Sequence, residues 1–141
     1  MFIVMVIIGM LFNPMNILAY RFSDLYISQT LFYGGLLMAS NMIWAHEFVH
    51  YLSMWHFNML FFSVGIILSI SVSLLLLRQQ LFVDDKQWLK RMIGHHSTAI
   101  TTTTQLLDNQ KNVTDNSYMY RLAKDIVYNQ EREILFMKNM L

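Results

Sequence analysis

Cysteine is absent from the chain, which excludes disulfides and thiolate metal sites and leaves the redox compartment unread. Proline occurs once, at Pro14, where the missing backbone donor is expected to kink a helix or end it early. Charge is sparse: Asp, Glu, Lys and Arg make up 13% of the residues, and the net charge is +1. With so small an excess and no cluster of basic residues, nucleic-acid binding is set aside. The N-terminal apolar run lacks the basic region and small-residue cleavage site of a secretory signal, so it reads as a retained segment. No repeat or low-complexity stretch stands out beyond four successive threonines, Thr101 to Thr104.

What is abundant is apolar surface. Hydrophobic residues are 55% of the 141, and the mean hydropathy is +0.38, a balance that a soluble domain of this size rarely reaches. Membrane insertion is therefore the expectation. Three runs suit it, about 2–20, 31–54 and 57–77, since ~30 Å of hydrocarbon takes about 20 helical residues. Trp44, Tyr51 and Trp55 gather toward the far end of the second run, where amphipathic rings favour an interface. In the third, Gly65, Ser69 and Ser73 form a small-residue row that lets the preceding helix approach closely.

Past Arg78 the composition changes, so residues 1–80 read as a three-helix membrane region and 81–141 as a separate helical domain. Asp84 and Asp85 supply an N-cap and acidic first turn for a helix reaching about Leu107. Its apolar stripe runs through Trp88, Met92, Ala99, Thr103 and Leu106. The threonines weaken its intrinsic propensity, so tertiary packing has to hold it. After a polar turn over Asp108 to Asn116, a second helix begins near Ser117. It turns Met119, Leu122, Ile126, Ile134, Met137 and Leu141 inward, and the two helices pair as an antiparallel hairpin. The expected fold is all-α: three transmembrane helices followed by a two-helix hairpin.

Methionine is the unusual residue, with twelve copies, and the five histidines fall into two clusters. Met38, Met42, His46, His50 and Met54 recur every fourth residue along one ridge of the second run. Thioether and imidazole donors without cysteine favour copper over harder cations. Membrane packing alone accounts for the methionines. It accounts less well for His46, Glu47 and His50, because ionisable groups in a span are costly and usually face a partner or cavity. Metal or proton chemistry and interfacial anchoring both fit this stretch. His46 to His50 also matches HExxH, in which two histidines bind zinc and the glutamate activates water. An intramembrane zinc metalloprotease needs a third ligand, and neither of the other runs carries Asp, Glu or His.

The second cluster lies in the hairpin. Met92, His95 and His96 fall within about one turn. Pairing about a turn near Asn112 sets Gln130 and Glu133 opposite Met92 to His96, and Met137 opposite Trp88. Met92, His95, His96, Glu133 and Met137 can then converge on one layer. Two adjacent histidines on a helix also suit one core and one surface residue.

These residues carry a resemblance. Met92-Ile-Gly-His-His-Ser-Thr-Ala-Ile100, then Leu122-Ala-Lys-Asp-Ile126 and Gln130-Glu-Arg-Glu-Ile-Leu-Phe-Met137, resemble the domain of unknown function 305 family. Its members carry M-I-P-H-H-x-x-A-I followed by L-A-x-x-I-x-x-x-Q-x-x-E-I-x-x-M. The match covers about Val83 to Met140, and the apolar part is similar to the family's membrane-anchored branch. The resemblance implies a ferritin-like helical fold, of which the hairpin is half a four-helix bundle, and copper binding by His and Met. Carried over by position, it points to Met92, His95, His96 and Met137 as ligands, with Gln130 and Glu133 as supporting groups. Gly94 stands where the family usually has proline, and Thr101 to Thr104 where a methionine often follows.

The expected function is an integral membrane protein that binds, buffers or relays copper and performs no covalent chemistry. The hairpin is the first site and the ridge a second site or relay. Expected partners are the lipid bilayer, a second copy in a homodimer or larger membrane assembly, and an unidentified recipient of the metal. The alternatives are a non-catalytic structural subunit of an envelope or complex, and the HExxH hydrolase. Arg78, Lys86, Lys90 and Arg91 favour a cytoplasmic hairpin by the positive-inside rule, the resemblance an extracytoplasmic one. Asn112-Val113-Thr114 is a glycosylation sequon, meaningful only on a eukaryotic secretory route.

Overall fold

A computed structural model describes residues 1–109 and 117–141 of the chain. The expected turn about Asn112 and its sequon lie outside the described residues. Among the described residues six α-helices follow in order: α1 Phe2–Leu11, α2 Pro14–Ile17, α3 Gln29–Met54, α4 Met59–Ser71, α5 Asp85–Asn109 and α6 Tyr118–Asn139. Among the described residues there is no strand. The chain divides into two compact units, residues 1–13 with 28–84, and residues 14–27 with 85–141.

The first unit holds α1, α3 and α4. Pro14 acts as expected: α1 stops at Leu11, so the first apolar run does not continue as one helix to residue 20. Helix α3 starts where Ser28 Oγ accepts from Leu31 N–H, and ends at Trp55, whose left-handed φ of 58° turns the chain. Asn58 Oδ1 then accepts from Leu60 and Phe61 N–H to start α4. Helix α4 runs on through a π-helical stretch, Val72–Arg78.

The expectation of three membrane spans is met in part. Among the described residues, Met59–Arg78 is the one helix long and apolar enough to cross a bilayer, with 20 residues and a mean hydropathy of 2.6. Helix α1, with 10 residues, is too short for ~30 Å of hydrocarbon. Helix α3 has the length, but Gln29, Thr30, Ser40, Asn41, His46, Glu47 and His50 dilute its hydropathy.

Glycines set how closely these helices meet. A Cβ on Gly35 would lie 2.7 Å from Val6 O, and one on Gly9 would lie 3.0 Å from both Gly35 Cα and Met38 Sδ. Helices α1 and α3 therefore touch backbone to backbone. A Cβ on Gly65 would come within 2.8 Å of Trp44 N, so the small-residue row of α4 does admit α3. At the far end of this unit Thr30 Oγ1 donates to Gln80 Oε1 at 2.7 Å, and Tyr33 OH donates to Leu81 O at 2.5 Å. These bonds hold a segment in which Gln80 and Phe82 take left-handed φ values of 49° and 59°.

The second unit is the hairpin of α5 and α6 with residues 14–27 laid on α5. Its core is Leu89, Ile93, Ile100, Ile134 and Met137, with Tyr26, Met92, Val127 and Leu141 packed against it. The buried face of α5 is Leu89, Ile93, His96, Ser97 and Ile100, turned from the expected stripe, and Trp88 and Leu106 are exposed. The rotation has a cause. Helix α5 serves two neighbours, α6 on one side and the 14–27 segment on the other, so its buried face centres between them. On α6 the inward set narrows to Ala123, Ile134 and Met137, and Met119 and Leu122 face out.

Asp24 ties that segment down. It is 1% exposed, accepts from Ser97 Oγ at 2.7 Å, and takes Lys138 Nζ at 2.5 Å. Ser97 Oγ in turn accepts from Tyr20 N–H at 2.8 Å. The threonine-rich part of α5 is helical after all, with Thr101 and Thr102 bonding back to carbonyls of the preceding turn.

Two matched comparisons test these contacts. Gly34→Ala meets nothing nearer than 3.9 Å and should gain up to about 1 kcal/mol from helix propensity. Gly35→Ala should cost about 2 kcal/mol or more by forcing α1 away, read as opposite shifts in thermal unfolding in detergent micelles. Asp24→Asn leaves Lys138 facing a buried amide and should cost about 3 kcal/mol. Hydrogen-exchange protection of α5 should fall accordingly, whereas Arg21→Ala, which breaks the exposed pair with Glu131, should leave it unchanged.

Candidate functional site

The hairpin histidines take different roles because α5 turns one in and the other out. His96 is buried; His95 is exposed, its ring centroid 6.0 Å from that of His96 and nearly perpendicular to it. His96 Nδ1 lies 2.8 Å from Met92 O. A carbonyl only accepts, so Nδ1 carries the hydrogen and Nε2 is aimed across the hairpin, 2.7 Å from Glu133 Oε2. The Glu133 side chain is 49% exposed, which leaves this junction open to solvent from the α6 side.

Of the five residues expected to converge, His96 and Glu133 meet directly. Met137 and Met92 lie in and against the apolar cluster formed by the same stretches of α5 and α6. His95 stands outside that layer on the solvent side. Gln130 is half-buried one turn before Glu133.

Residues 14–27 hold this part of α5 in place. Ser97, next to His96, is fully buried and carries the bonds to Asp24 and Tyr20. Thr98 Oγ1 donates to Met15 O at 3.2 Å, and the Arg91 guanidinium hydrogen-bonds the Met15 sulfur. Burial lowers the Arg91 pKa below its ordinary value. Sequence reading passed over Asp24, Ser97 and Lys138. One signal was available for Asp24, the first acidic residue of the chain, set between two apolar runs.

The methionine–histidine ridge of α3 divides. Met38 packs at Gly9, while Met42 and His46 line a cavity with α1. His46 and His50 rings are stacked at 6.1 Å, but His50 Nδ1 faces His56 O at 3.2 Å, with the His56 ring edge-on at 5.8 Å. Met54 is exposed in the last turn. Glu47, the glutamate of the HExxH match, accepts from Asn58 N–H at 3.3 Å and so holds the turn into α4. Among the described residues no three His, Asp or Glu side chains gather closely enough to hold a metal ion.

Residues 76–141 match the model of the Domain of unknown function (DUF305). The chain is also 31% identical over 132 residues to Uncharacterized protein L153 of Acanthamoeba polyphaga mimivirus, covering 92% of this chain and 81% of that one. The chain belongs to the DUF305 family. Its similarity to the viral relative extends beyond the hairpin into the apolar helices, since 132 residues exceed the matched domain. No solved structure matches.

The two histidines should separate in a stability measurement. His96→Ala removes two bonds from a buried ring and leaves a cavity, at an expected cost of about 2 kcal/mol, because Glu133 regains water. His95→Ala should leave the urea midpoint, followed by circular dichroism, where it is.

Proposed function

We propose that this DUF305 protein binds copper between α5 and α6 and buffers or hands on the ion from a membrane-attached position. The observation that carries this reading is the His96 arrangement. A backbone carbonyl takes the Nδ1 hydrogen and fixes the ring, so Nε2 faces Glu133 across the hairpin, and once an ion takes the place of the Nε2 hydrogen its lone pair is aimed at the partner helix. Glu133 is the group that yields to the ion or shares it. Met92 and Met137, each about one turn along its helix from this junction, offer polarisable sulfur, and exposed His95 could deliver the ion. Soft and borderline donors without cysteine select copper over harder cations.

Membrane attachment rests on Met59–Arg78, with the short apolar helix α1 and the longer, more polar α3 packed in the same unit. Pairing of two hairpins into a ferritin-like four-helix bundle is supported by what the single hairpin leaves uncovered. Trp88, Leu122, Leu135 and Phe136 are all more than 40% exposed, apolar surface of which a second copy would cover part.

The second reading, a structural subunit without metal, is favoured by the same junction taken at face value. His96 and Glu133 satisfy each other at 2.7 Å, and Met137 serves as a core residue. The hydrolase reading has less support, because Glu47 is engaged at the α4 N-terminus and no third ligand joins His46 and His50 among the described residues.

Competition for Cu(I) against a chromophoric chelator decides between the first two. The parent chain should hold copper, and His95→Ala/His96→Ala should weaken the hairpin site by about 100-fold or more. Equal copper retention by parent and double variant would sink the hairpin site in favour of the structural reading.

A further inference from the structure

The division of the α3 ridge places two of its members against another methionine row. Along α1 and its N-cap, Met1, Met5 and Gly9 recur at four-residue intervals, as Met38, Met42 and His46 do in α3. The helices run antiparallel, and the contact of Gly9 with Met38 fixes their register. That register brings Met5 to Met42 and Met1 to His46. A cavity of about 240 Å³ lies there, lined by Met1, Met5, Met42, His46 and Glu47, the rest of its wall being apolar.

We infer that this cavity is a binding site for a soft monovalent cation, Cu(I) or Ag(I), separate from the hairpin site and completed by methionines of α1. Three thioethers and one imidazole are neutral donors, and the first are soft, a set suited to a monovalent thiophilic ion. Glu47 adds the single negative charge. One of its oxygens accepts from Asn58 N–H, and the other lies 3.8 Å from His46 Nδ1, so the charge stands beside the imidazole. With two non-sulfur side-chain donors, the cavity offers little to zinc or to a hard cation. Methionine side chains have three rotatable bonds and can close on an ion from the walls of a cavity of this size. Met54 and His50 belong to the sequence ridge but not to the site.

The test uses the full chain in detergent micelles, with Ag(I) as the probe, in the His95→Ala/His96→Ala background so that the hairpin does not contribute. Bound silver per chain is measured after dialysis against a competing thioether, and sulfur coordination is read by X-ray absorption at the silver edge. That background should retain silver with mainly sulfur neighbours. Met5→Leu/Met42→Leu, which conserves volume, should abolish the retention while leaving the helical circular dichroism unchanged. Met54→Leu, on the same ridge outside the cavity, should change nothing. No silver in the background chain would overturn the site, as would retention that survives Met5→Leu/Met42→Leu. Either result leaves the hairpin measurement untouched, because that one compares the parent with the histidine double variant.

Discussion

Backbone contact between α1 and α3 is the constraint on which the first unit depends. Two helices normally keep 8–10 Å between axes because side chains occupy the space between them. Where Gly9 meets Gly35, that space is gone, and a Cβ on residue 35 would lie only 2.7 Å from the carbonyl oxygen of Val6. The crossing cannot slide by a turn without setting a methionine or valine side chain against backbone. Register is thereby fixed by an absence of atoms. Once it is fixed, two methionine rows with the same four-residue period have to face each other, and the cavity at Met5 and Met42 follows.

In the second unit a single carboxylate has the corresponding part. Asp24 is taken out of water and compensated by Ser97 Oγ and Lys138 Nζ, one on α5 and one on α6. A buried charge held this way adds little net stability over an apolar substitute, but losing one partner is costly, so the geometry is specified sharply. Ser97 cannot rotate away from Asp24, and His96 is the next residue on the same helix. The inward direction of His96 and the outward direction of His95 thus trace back to a residue more than 70 positions earlier in the chain.

The helical class, the break at Pro14 and the meeting of α5 with α6 near His96 and Glu133 were legible because each follows from local rules. These are the proline donor, the capping residues and three- and four-residue periodicity. Less legible was the face of α5. Periodicity marks an apolar stripe but cannot tell that a second neighbour will bury Ser97 by hydrogen bonding instead of hydrophobicity. Trp88 and Leu106 accordingly read as inward and are exposed. The hydropathy of α3 was also overread. Its aromatic and methionine residues suggested a span, while the polar and ionisable positions along the helix bring it below the level that Met59–Arg78 meets. On the ridge, a four-residue period showed which side chains share a side of α3 and nothing of which neighbour each would find. Only the glycine contacts supply that.

The two methionine–histidine regions differ in the charge that they offer. In the hairpin, His96 already has a carboxylate as its partner, so an ion arriving there displaces or shares an existing strong contact, and the site has to bind well enough to offset that loss. Glu133 is half in water, which keeps the loss small and the exchange with solvent open. In the α1–α3 cavity the sulfurs hold no comparable partner, and the surrounding wall is apolar. A naked monovalent ion is costly to move into such surroundings unless polarisable donors replace its water, and thioethers do so without adding charge. On the proposed metal readings, the two regions would thus differ in what an incoming ion has to displace. That difference follows from where the carboxylates sit, with Glu133 at the mouth of one site and Glu47 tied to the backbone beside the other.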